Sequence, residues 1–80
     1  MTYMATFFTH FDAVSFARSL TAEGIAAKAR PVPRAVSSSC GTAVQFEGEK
    51  LPGPALLADV DRIYIMAGGG YRPVYGEDGE

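Results

Sequence analysis

The chain has one cysteine and one histidine in 80 residues, and each scarcity excludes a class of chemistry. A single thiol cannot close an internal disulfide, so a stapled secreted scaffold is ruled out and a reducing cytoplasm is the expected setting. A dithiol redox cycle lacks its resolving partner. Cys40 and His10 stand far apart in the chain with no ligand spacing around either, which argues against a metal site. The opening "MTYMATFF" has no basic leader region, and no apolar run approaches transmembrane length, so no membrane association is expected.

Acidic residues are missing from one long window. None occurs between Glu23 and Glu47, where Lys28, Arg30 and Arg34 supply three cations. The net charge of −2 is set largely by the final "GEDGE", which holds three of the nine carboxylates. Three cations are too few for a nucleic-acid footprint. They suit a small anion or a thiolate, or simply a solvated strand face.

What is present is the composition of a small globular domain, 48% hydrophobic and 20% charged. Residues 1–76 are expected to form one domain and residues 77–80 a flexible acidic tail. Thr2–Phe8 reads as a strand, aromatic and free of breakers. Thr9 is placed as a helix N-cap, with Asp12 in the first turn complementing the helix dipole. Ala13, Phe16, Ala17 and Leu20 then form an apolar stripe at helical spacing. Gly24 fits the left-handed position past the helix end, with Ile25 folding back on Leu20. "IAAKARPV" alternates, with Ile25, Ala27 and Ala29 on one face and Lys28 and Arg30 on the other. Thr42–Glu47 and Arg62–Ala67 are further strands, separated by the turn-rich "GEKLPGP" and a short helix in "PALLADVD". Gly68–Gly70 ends the last strand, leaving a short extended piece at Tyr71–Tyr75. The order β-α-β-β-α-β predicts an α+β fold of ferredoxin-like pattern, with both helices on one face of an antiparallel sheet and the second helix short. The other face would be left for a partner, which makes a homodimer an expectation.

The stretch "PVPRAVSSSCG", Pro31–Gly41, carries the only thiol. Reactivity belongs to the thiolate, and nearby cations and hydroxyl donors lower the ordinary cysteine pKa of about 8.5. Arg30 and Arg34 precede Cys40, Ser37, Ser38 and Ser39 adjoin it, and Gly41 lets backbone N–H groups approach. The competing interpretation is an inert packed cysteine at a strand start. A phosphatase loop would need an arginine six positions after Cys40, where Phe46 stands. A Cys–His pair would need His10, more simply a helix-terminus residue. "AGGGY" lacks the lysine and hydroxyl of a phosphate loop, so no cofactor is expected.

"PVPRAVSSSCGTAVQF", with the preceding "AEGIAAKARPVPR", resembles a family of small bacterial domains described as selenium/sulfur carrier protein-like. The similarity covers roughly Thr6–Phe46 and is specific at Pro31–Gly41. The short second helix and the Gly- and acid-rich end depart from the family pattern. The resemblance implies that Cys40 is the carrier thiol, with Pro33, Arg34, Ser39 and Gly41 as its motif neighbours. Together with the lone thiol it leads to the expectation of a single-cysteine carrier or accessory protein rather than a stand-alone enzyme. Cys40 would hold a persulfide or selenosulfide, Arg30, Arg34, Ser38, Ser39 and Gly41 would bind the anion, and a donor or acceptor enzyme would be the partner. The alternative is a non-catalytic module whose 34–41 loop binds a small anion, or a domain that only pairs through its sheet.

Overall fold

The computed structural model of the protein describes residues 1–34, 36 and 41–76. Among them are β1 (Thr2–Phe7), α1 (His10–Ala22), β2 (Ala27–Pro31), β3 (Thr42–Glu47), α2 (Pro54–Leu57), β4 (Val60–Ala67) and β5 (Gly70–Tyr75). The five strands form one sheet in the order β2-β3-β1-β4-β5, and every pairing is antiparallel. This is an α+β architecture, with β1 central and α1 carrying the chain from β1 to the far edge strand β2. The extended piece beyond Gly70 is a full edge strand, and the second helix is a single turn of four residues. Residues 77–80, expected as a tail, lie outside the described residues.

Local chemistry accounts for α1 at both ends. Thr9 is extended and its Oγ1 accepts the Asp12 N–H at 3.1 Å, satisfying one of the donors a helix start leaves open. At the other end Gly24 adopts φ +83°. The Ile25 N–H then reaches the Leu20 carbonyl at 2.9 Å and the Gly24 N–H the Thr21 carbonyl at 3.0 Å, the paired bonds of a Schellman cap. Replacing Thr9 with alanine should cost about 1 kcal/mol, read as a fall in melting temperature of roughly 4–8 °C. A change too small to measure would mean that tertiary packing alone fixes this helix start.

The core lies between α1 and one face of the sheet. Tyr3, Ala5 and Phe7 of β1, Val44 and Phe46 of β3, and Ile63 and Ile65 of β4 meet Ala13, Phe16 and Leu20 of α1. The rings interlock: Tyr3 stacks on Phe46 at 5.2 Å, Phe16 meets Phe46 edge-on at 5.6 Å, and Phe7 tilts against Phe16 at 5.2 Å. Such pairs add to the area they bury.

Strand alternation sends Met4, Thr6, Ala43 and Tyr64 to the opposite face. All four are buried, as is Val36 from the β2–β3 connector, and none belongs to the helix-side cluster. The middle of this second face is therefore closed within one chain.

Candidate functional site

The candidate loop is the connector of the β2–β3 hairpin. Pro31 pairs with Thr42 as the last rung of the ladder, and the Val32 N–H donates to the Gly41 carbonyl at 3.1 Å. The sheet thus holds Val32 and Gly41 together at the two ends of the connector. The Val36 N–H donates to the Pro33 carbonyl at 3.0 Å, a local bond of the kind that closes a tight turn. Val36 is buried and Arg34 exposed, so this turn hangs from an apolar anchor with its cation in solvent.

Of the residues expected to form the site, Cys40, Ser38 and Ser39 lie outside the described residues. Gly41 is exposed, and a Cβ built on it would meet nothing within 4 Å. Arg30 projects from the face away from α1, and its Nη1 donates to Gln45 Oε1 at 2.9 Å. Gln45 is the fourth residue of β3, so this bond ties the Arg30 guanidinium to the strand.

One residue enters the site from a distant part of the chain. His10, the first residue of α1, brings Nδ1 to 2.9 Å from Thr42 Oγ1. Thr42 follows Gly41 and opens β3, so the start of α1 is fastened to the outgoing end of the connector. The sequence offered no signal for this contact, because 32 positions separate the two residues. It arises because the C-terminal end of β1 and the N-terminal end of β3 share one end of the sheet. Phe8 and Phe11, which bracket His10, are exposed by 61% and 75%. They are two of the three large apolar side chains left in solvent among the described residues, the third being Met1.

Two hollows open among the described residues away from Gly41. These clefts, of about 460 and 610 Å³, share Ile25, Phe46 and Glu47 and sit at the opposite end of the sheet from the connector. Among the described residues no group of three or more His, Cys, Asp or Glu side chains could hold a metal ion. No helix among them is long and apolar enough to cross a membrane.

Sequence comparison decides the family. The family described as "Putative Se/S carrier protein-like" matches residues 2–55, a span reaching from β1 through β3 to the start of α2 and covering the whole connector. The chain belongs to the Se/S carrier protein-like family. No curated protein matches the chain, and no solved structure does. The family's span ends before β4 and β5, so the edge hairpin lies beyond the matched residues.

Proposed function

We propose that this Se/S carrier-like protein is a single-thiol carrier of sulfur or selenium, with Cys40 as the carrier residue. The family match across the connector carries this reading. It is supported by the way the sheet, the Val36 anchor and the His10–Thr42 contact hold the two ends of the connector. In the transfer step the Cys40 thiolate attacks the outer sulfur of a donor enzyme's persulfide. The donor's S–S bond breaks, its thiolate leaves, and an S–S bond forms on Cys40, so the donor cysteine is reduced as Cys40 is oxidised. Selenium would be taken up in the same way, as a selenosulfide. Arg34 and the serines Ser38 and Ser39 stabilise the terminal anion, and the exposed Phe8 and Phe11 offer the donor or acceptor protein an apolar foothold beside the loop. The cytoplasm suits this work, because it keeps a solitary thiol reduced. In this reading the order β2-β3-β1-β4 is a ferredoxin-like split β-α-β sheet to which β5 is appended.

The test is an incubation with a cysteine desulfurase and cysteine, followed by intact-mass measurement. Wild type should gain the mass of one sulfur atom, and the gain should vanish on treatment with a thiol reductant. Cys40→Ser should gain nothing. An unloaded wild type whose thiol also resists alkylating reagents would end the carrier reading. Thermal stabilisation by phosphate or sulfate that persists in Cys40→Ser would favour an anion-binding loop instead.

A further inference from the structure

The free edge of β2 has a different use, independent of what Cys40 does. β2 is the first strand of the sheet and, among the described residues, pairs only with β3. The ladder bonds from the Val32 N–H to Gly41 and from the Glu47 N–H to the Ala26 carbonyl fix which groups face β3. In an antiparallel pair the bonded positions alternate, so residues 26, 28, 30 and 32 bond to β3. The N–H and C=O groups of Ala27 and Ala29, with the C=O of Pro31, therefore point out of the sheet. Proline at 31 ends the outward row of donors.

Two chemically distinct strips flank this edge. On the α1 side a shallow apolar groove of about 420 Å³ runs between helix and strand, lined by Val14, Ala17, Arg18, Thr21, Ala22 and Ala29. On the other side stand Lys28 and Arg30, both exposed, within the window that holds no carboxylate. Exposed edges commonly carry lysine and proline to discourage chance pairing. Charges of a single sign go further, because they reject strands of like charge and attract acidic ones.

We infer that β2 is a docking edge for an extended acidic segment of a partner protein, which adds to the sheet as a sixth strand. Its backbone would bond to Ala27, Ala29 and the Pro31 carbonyl. Every second side chain, small and apolar, would enter the groove beside Val14 and Ala17. The intervening side chains would be carboxylates facing Lys28 and Arg30. This division of labour, backbone for affinity and alternate side chains for specificity, is that of strand addition. A second copy of the chain fits poorly, since pairing β2 with β2 would bring Lys28 and Arg30 against the same cations.

Amide shift mapping with two synthetic probes tests the proposal: a peptide alternating glutamate and valine, and one alternating lysine and valine. The glutamate probe should shift the amides of Ala27, Ala29 and the groove residues of α1, and should weaken at least about fivefold at high salt, as exposed ion pairs do. The lysine probe should shift none of them. Ala29→Pro removes only an outward N–H, in the same outward series as the native Pro31, so β2 should stay paired to β3 while glutamate-probe binding falls roughly tenfold. Lys28→Glu with Arg30→Glu should exchange the preference to the lysine probe, which keeps the test decisive if Ala29→Pro folds poorly. The inference is overturned by equal binding of both probes, by shifts confined to other surfaces, by undiminished binding after charge reversal, or by concentration-dependent pairing of β2 with itself.

Discussion

Phe46→Ala should lower stability by about 3–5 kcal/mol, the usual cost of deleting a fully packed aromatic ring. A domain of this length holds only about 4–12 kcal/mol in total, so the variant should melt some 15–35 °C below wild type. Phe46 is only 2% exposed and stands where three elements meet. Its ring stacks on Tyr3 of β1 and takes the edge of Phe16 from α1. Its backbone lies opposite both Tyr3 and Ala27 in the two flanking ladders. Removing the ring leaves a void whose lining cannot close without moving either strand. Phe8→Ala is the internal control: with its ring mostly in solvent, it should change stability by less than about 0.5 kcal/mol. Urea unfolding of both variants measures the contrast. A Phe46→Ala midpoint close to that of Phe8→Ala would show that the ring cluster does not hold the fold.

The same residues show which parts of the fold were legible from the chain alone. α1 was, because both its ends are written in local chemistry: Thr9 can cap only the turn that follows, and Gly24 relieves a left-handed backbone that few residues adopt. β3 and most of β4 were legible from runs that have no competing helical period, but Val60 and Asp61, which open β4, read as the end of the short helix. The fifth strand was weakly marked, because Pro73 and the glycines around it read as punctuation. Pro73 is tolerated because β5 is an edge strand. The closure of the second face could not be anticipated. Met4, Thr6, Ala43 and Tyr64 form no recognisable pattern until the register aligns them, and Val36 comes from a connector rich in polar residues.

The candidate site divides in the same way. The connector was visible as a motif, and its carboxylate-free surroundings were visible as a count. The destination of Arg30 was not, since Gln45 becomes its neighbour only through the β2–β3 register. His10 was read as a terminus residue because its partner Thr42 is distant in the chain. A residue that starts a helix is placed by the sheet end from which that helix departs. Topology therefore decides what it meets.

Gly76→Ala should release β5, the strand that completes the sheet. Gly76 follows β5 with φ +103°, a conformation costing a non-glycine residue about 1–3 kcal/mol. Space is short as well. An added Cβ would stand 2.7 Å from the Asp61 carbonyl oxygen, 2.8 Å from Arg62 Cγ and 3.1 Å from Arg62 Cα. Two of those atoms are backbone of β4, so they can retreat only by bending the strand that pairs with β1 and β5. Overpacking of this kind adds roughly another 1–3 kcal/mol. Gly24→Ala separates the two causes, because Gly24 shares the positive φ but has nothing within 4 Å of its Cβ. It should show the conformational cost alone, about 1–2 kcal/mol. Hydrogen exchange locates the damage. In Gly76→Ala the ladder amides of residues 70–75 should lose protection first, while those of β1 and β3 keep theirs. Equal stability of the two alanine variants would mean that β5 yields to the methyl group without strain, and that Gly76 is required for its dihedral angle alone.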